Sequence, residues 1–275
     1  MESYFQHQAD LAKKECKMQC PDDCRAPGCR LAEVIVETTL FDLIRLSLVL
    51  NTPVSSLFLH HCHLGLQSCE QNLRYQRLLI KLKKPCRFLE KSRCAVHGSK
   101  PLNCVLFPEY HHIKGLVSAL VRGPVFSKFP CLKNEMFISD QRSTALKKLR
   151  LMSRREEALS GFFIFNTPPY IFDSKPLTKH LKKENPNKKP ITLKDYDRLI
   201  NEKLKPTGLL DSINDKISRL DTRAGMESLF EKLKDDALMK PLLAKMDTPE
   251  IVYKLKGNSL KRLKRRLQPS EFYFR

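Results

Sequence analysis

Ten cysteines set the chemistry of this 275-residue chain, and all of them lie before residue 132. In a reducing compartment disulfides are rare, and a dense cysteine set points to a metal site. The first group is Cys16-x3-Cys20-x3-Cys24-x4-Cys29. Pro21, Pro27 and Gly28 turn the backbone between these thiols, so a loop wrapped around metal is expected in place of a continuous helix. The second group comprises Pro85-Cys86-Arg87-Phe88-Leu89, Arg93-Cys94-Ala95-Val96-His97 and Lys100-Pro101-Leu102-Asn103-Cys104-Val105-Leu106-Phe107-Pro108. Each of these cysteines is followed by apolar residues that can anchor it to a core, and each sits near a turn-former. A buried thiolate needs a cation or hydrogen bonds, so three anchored cysteines imply something to hold.

The order of these motifs resembles the YkgJ family, also called the CxxCxxCC or zinc- or iron-chelating domain. The resemblance covers residues 12 to 110 and is most specific in the second group, through Phe107-Pro108. It departs from the family in the first cluster, where Cys24 and Cys29 stand apart instead of ending in adjacent cysteines, and at His97, which replaces a common Tyr. The resemblance implies a small metal-binding domain with Cys16, Cys20, Cys24, Cys29, Cys86, Cys94 and Cys104 as its ligands. It also implies a link to a branch of flagellin lysine-N-methylases that use an iron–sulfur cluster. Both zinc and iron–sulfur centres accept four thiolates, so seven candidate thiols exceed one site and leave the metal open.

Weaker signals have plainer readings. His60-His61-Cys62-His63 looks like a metal tract, yet on a helix four consecutive residues fan out over about 300°, which favours surface histidines at a helix end. His111-His112 reads as an exposed turn, and Cys69 and Cys131 as ordinary buried thiols. Cys16-x3-Cys20-x3-Cys24 is one residue too long in its last gap for a radical-SAM motif. No nucleotide-binding glycine loop is present.

The elements that must position these residues can be read in outline. Apolar residues are 41% of the chain, enough for a core, while nine glycines disfavour a loop-rich β architecture. Thr39 precedes a helix from Leu40 to Leu50, and Thr52-Pro53 starts a short one through Leu59. Leu78, Ile80 and Leu82 alternate as in a strand, Cys86–Leu89 and Cys94–His97 suit short strands or loop walls, and Leu116–Val121 is another candidate strand. Ser139-Asp140 caps a helix reaching Ser160, with Gly161 as its stop. Residues 174–190 read as an exposed linker. Thr192 begins a helix ending before Pro206, and a further helix or two fill Leu209–Leu243. Thr248-Pro249-Glu250 opens a last helix that Pro269 ends.

The expected fold class is α+β. A cysteine-rich domain of helices and short strands (residues 1–135) precedes a basic, mostly helical extension (residues 136–275). The polar opening Met1–Gln8 has no apolar leader, and the longest stretch without charges, Leu46–Cys69, contains Asn51, Pro53 and three histidines. A cytoplasmic protein without a transmembrane segment is therefore expected. Lys plus Arg number 50 against 30 acidic residues, a net charge of +20, which calls for an anionic partner.

Three functions follow as expectations. The first is a metal-binding protein holding zinc or an iron–sulfur cluster. The second is an iron–sulfur-dependent protein lysine N-methylase, which needs S-adenosylmethionine and a protein substrate. The third is a basic adaptor that meets nucleic acid or an anionic membrane through an amphipathic C-terminal helix bearing Lys254, Lys256, Lys261, Arg262, Lys264, Arg265 and Arg266.

Overall fold

The computed structural model describes residues 1–16, 24–69, 72–113, 125–132, 137–185 and 191–268. Among them the helices are α1 (Glu2–Lys13), α2 (Pro27–Arg30), α3 (Leu40–Leu50), α4 (Val54–His61), α5 (Leu102–Leu106) and α6 (Glu109–Ile113). They continue as α7 (Asp140–Phe165), α8 (Lys175–Glu184), α9 (Leu193–Leu204), α10 (Leu209–Ser218), α11 (Arg223–Lys234) and α12 (Asp236–Asp247). The strands are β1 (Cys62–Cys69), β2 (Asn72–Leu82), β3 (Leu89–Glu90), β4 (Arg93–Cys94), β5 (Tyr170–Asp173), β6 (Ile251–Lys256) and β7 (Ser259–Lys264). The class is α+β. By contacts the chain divides into two units, Met1–Thr52 with Leu82–Arg154, and Pro53–Lys81 with Arg155–Arg275. Residues 53–81, which composition groups with the cysteine-rich part, belong by contacts to the second unit.

In the first unit α3 is the central element. Its apolar run leaves every residue from Leu40 to Ser47 buried. A reciprocal capping box starts it: Asp42 N–H donates to Thr39 Oγ1 and Thr39 N–H to Asp42 Oδ2, each at 3.0 Å. Asn51 ends it in the left-handed region at φ 48°. Asp42 does more than cap its own helix. Its Oδ1 accepts from Leu102 N–H at 2.9 Å and from the Arg45 guanidinium at 2.9 Å, so one carboxylate satisfies the starts of both α3 and α5. Arg45 in turn donates to Gln8 Oε1 (3.0 Å) and to the Lys100 carbonyl (2.7 Å), tying α1 and the loop before α5 into the same buried network.

A second buried cation closes the other end of this unit. Arg142 donates to Glu109 Oε1 at 2.9 Å and to the carbonyls of Leu11, Ala12 and Lys14, which satisfies acceptors left over at the end of α1. Leu11, Leu102, Leu106, Ala145, Leu146 and Leu149 form the core between α1, α5 and the start of α7.

The second unit is built on a five-stranded sheet of order β1-β2-β5-β6-β7. β2 pairs antiparallel with β5, β5 runs parallel to β6, and β6 and β7 form an antiparallel hairpin. The alternation at Leu78–Leu82 does mark a strand, but both of its faces are covered, and Lys81 is only 4% exposed. Lys81 Nζ donates to the Leu66 carbonyl at 2.7 Å and to Asp197 Oδ2 of α9 at 2.8 Å. Asp197 Oδ1 also accepts from Leu66 N–H at 2.7 Å. Gly65 makes room for this clamp, since a Cβ there would meet Lys81 Cδ at 2.5 Å and Asp197 Oδ1 at 2.8 Å.

Several expected elements take another form. The last helix is instead the β6–β7 hairpin. Thr248 does not open a helix; its N–H and its hydroxyl both bond back to the Ala244 carbonyl, closing α12. Ile251, Val252 and Leu255 are spaced as on a helix and stand on both faces of β6, and the two-residue turn Gly257-Asn258, with Gly257 at φ 60°, selects the hairpin. Residues 175–184 of the expected linker form α8, which has Pro176 in its first turn and buries Leu177 and Leu181 on one face. The helix expected to stop at Gly161 runs on to Phe165, and the left-handed Asn166 (φ 59°) follows it. Thr52 bonds back to the Leu50 carbonyl, leaving Pro53 at the start of α4, which extends to His61. The helix that Thr192 begins ends before Pro206 as expected, and a capping box with Asp195 starts it. The candidate strand Leu116–Val121 lies outside the described residues.

Candidate metal centre

Four of the seven expected ligand thiols gather in the first unit around Cys86. The backbone brings the two sequence groups together: Cys86 N–H donates to the Cys29 carbonyl at 2.7 Å, and Lys84 Nζ donates to the Gly28 carbonyl. Their side chains meet as well. The Cys29 thiol is pushed well up, first by its hydrogen bond to Cys86, then by burial and by the neighbouring Cys86 and Cys104. The Cys86 thiol moves the opposite way, below its ordinary value. The Cys29 hydrogen bond does most of this against the cost of burial, helped by the Phe88 backbone N–H and the Lys84 ammonium.

Cys94 and Cys104 complete the group. Cys94 closes the small β3–β4 ladder opposite Leu89, and its thiol is raised by burial, with the Val96 backbone N–H pulling down and Cys86 pushing up. Cys104 sits inside α5, where loss of solvent around its sulfur pushes the thiol up to about 12, partly opposed by Lys84 and Lys100. The carboxylate of Asp42, which holds the start of α5, also bears on Cys104. Cys86 and Cys94 thus share one device, a sulfur that accepts the backbone N–H of the residue two positions on. Such N–H donors favour the thiolate and orient it.

Of the remaining candidates, Cys16 makes its contact elsewhere. Cys16 is exposed and donates to Glu109 Oε2 at 3.9 Å, beside the Glu109–Arg142 pair. Cys24 is half-buried, and Cys20 lies outside the described residues. Among the described residues no three Cys, His, Asp or Glu side chains close on one point as a finished ion cage. Cys29, Cys94 and Cys104 each lie within electrostatic reach of Cys86.

His97 is exposed on a short turn, and its imidazole is held below its ordinary value by Lys100 and by burial. The His60–His63 tract is split between the end of α4 and the start of β1, and His63 Nε2 faces Asp197 Oδ2 at 3.4 Å. His111 is half-buried and meets the Phe107 ring edge-on, so the expected exposed turn is instead part of α6. Cys131 is only half-buried, and the Cys69 side chain is outside the described residues.

Two residues that the motif reading passed over belong to the site. Lys84 and Lys100 are the cations that bear on the thiols. Their signal in the sequence is the pair of Lys-Pro steps, Lys84-Pro85 and Lys100-Pro101, each shortly before a cysteine. With a divalent ion, these two charges neutralise four thiolates. A scan against protein-family models found no match, and searches of curated proteins and of solved structures returned none either. No helix among the described residues is long and apolar enough to cross a membrane.

Proposed function

We propose that this chain is a metal-binding protein in which Cys29, Cys86, Cys94 and Cys104 hold a single zinc ion. The observation that carries the reading is the 2.7 Å backbone bond from Cys86 N–H to the Cys29 carbonyl, which brings these two thiols together beside Lys84, with Cys94 and Cys104 near Cys86. Four thiolates around zinc at about 2.3 Å stand about 3.8 Å apart, which is the range of a sulfur–sulfur hydrogen bond. A four-iron cluster spreads its four thiolates over four irons and holds them farther apart, so the approach of Cys29 to Cys86 favours a mononuclear ion over such a cluster. The N–H donors to Cys86 and Cys94 suit resident thiolates, as does the buried Asp42 network that fixes the helix bearing Cys104. The likeness of residues 12–110 to the YkgJ family points to the same chemistry. When bound, the metal cross-links the segments that carry Cys29, Cys86 with Cys94, and Cys104, which is a structural role.

The test is anaerobic purification followed by metal analysis and an absorption spectrum. A colourless protein with one zinc per chain supports the reading. A brown protein with acid-labile sulfide replaces zinc with an iron–sulfur cluster, and metal-free protein after zinc-supplemented expression refutes it.

A further inference from the structure

The β6–β7 hairpin of the second unit carries a concentration of charge that its own fold does not use. Between Ile251 and Gln268 there are seven basic residues and no Asp or Glu. The register sets like charges against each other: Lys254 lies directly opposite Lys261 on one face, while Arg262 and Lys264 share the other face with Tyr253 and Ile251. Like charges directly opposed across two strands destabilise the pair. Among the described residues Lys254, Lys261, Arg262 and Lys264 enter no ion pair, whereas Arg265 packs over the Tyr75 ring at 4.9 Å. β7 is the edge of the sheet, and the turn at Lys205–Thr207 packs against it with Lys205 exposed.

Edge strands often carry a lysine to block aggregation, but one or two charges suffice for that. A directly opposed cation pair within a run free of acids is better explained by an anion that relieves it. We infer that this hairpin binds the phosphate backbone of a nucleic acid. Its exposed side chains are charged or small and polar, while Val252 and Leu255 are buried, so it offers no apolar wedge for a bilayer. Arg262 and Arg266 present planar donors that suit phosphate oxygens. The six residues of β7 extend about 20 Å at about 3.3 Å each, the length of about six base pairs of duplex. The interaction reads charge and spacing, not sequence.

The experiment is fluorescence anisotropy with labelled DNA duplex and single-stranded RNA of about 20 units, over about 50 to 200 mM salt. Four phosphate contacts give a salt slope of about −3.6, so affinity falls about 150-fold across that range. The variant Lys261→Gln/Arg262→Gln/Lys264→Gln lowers the slope by about 2.7 and weakens binding more than about 10-fold at the lower salt. A control variant, Lys182→Gln/Lys183→Gln/Lys232→Gln, removes as much charge from α8 and α11 and leaves binding unchanged. Should the hairpin triple variant not fold by circular dichroism, Lys261→Gln and Lys264→Gln made singly each reduce the slope by about 0.9. Equal losses in hairpin and control variants overturn the inference. So does binding that ignores salt, and so does binding confined to vesicles with about 30% phosphatidylserine.

Discussion

Replacing Asp42 by alanine tests how the fold positions the site, because this one carboxylate holds α3, Arg45 and the helix that carries Cys104. Three losses coincide. The reciprocal cap of α3 goes, worth about 1 kcal/mol. The Leu102 N–H is left without its acceptor, worth about 1–3 kcal/mol. Arg45, 9% exposed, keeps its charge without a carboxylate, and breaking a buried pair costs about 3–5 kcal/mol. These terms share the same atoms and do not add, and Arg45 retains Gln8 and the Lys100 carbonyl as acceptors. A net loss of about 4 kcal/mol is expected, which at about 2 kcal/mol per molar moves the urea midpoint down by about 2 M. The assay is equilibrium urea unfolding followed by far-UV circular dichroism. The double variant Asp42→Ala/Arg45→Met removes the stranded charge and is expected to be more stable than Asp42→Ala alone. A midpoint shift below about 0.5 M, or a double variant less stable than the single one, refutes this account of the network.

Other predictions concern both units. Cys86→Ser is expected to release the metal, whereas Cys16→Ser retains it, as read by zinc content after gel filtration; loss from both refutes the assignment of the hub. Asp197→Asn strands the buried Lys81 and lowers stability at pH 7 by about 3–5 kcal/mol, measured by urea midpoint. Burial pushes the Asp197 carboxyl up, but His63, Lys81 and the Leu66 N–H outweigh it and hold it below its ordinary value. Its stabilisation is therefore present above about pH 4 and lost as pH falls through the lowered folded value, so wild type and Asp197→Asn converge in acid. A gap between them that persists at pH 2 contradicts the assignment. Gly65→Ala drives a methyl group into the Lys81 side chain and is expected to cost about 1–3 kcal/mol, with partial recovery in Gly65→Ala/Lys81→Met.

Local signals were legible in the sequence, and long-range ones were not. Thr39 and Thr192 announce α3 and α9 because a capping box is written within four residues. The hairpin at the C-terminal end was misread because Ile251, Val252 and Leu255 keep helical spacing while standing on both faces of β6. The deciding information there is the Gly257-Asn258 turn and the pairing of β6 with β5. Pro176 suggests an exposed linker until Leu177 and Leu181 are seen to bury one face of α8. For the site, cysteine spacing identified the residues, but the meeting of Cys29 with Cys86 depends on a backbone bond between residues 57 positions apart in the chain. Lys84 and Lys100 carry only the weak mark of a Lys-Pro step before a cysteine, and Asp42 reads as nothing more than the cap of its own helix.

The most direct test of the central claim is the number and distance of sulfur neighbours around the metal, read by X-ray absorption at the zinc edge. The account predicts four sulfurs at about 2.3 Å in the wild type and a change in that shell in Cys29→Ser. A shell of nitrogen and oxygen, or a sulfur shell unaltered by Cys29→Ser, would contradict it.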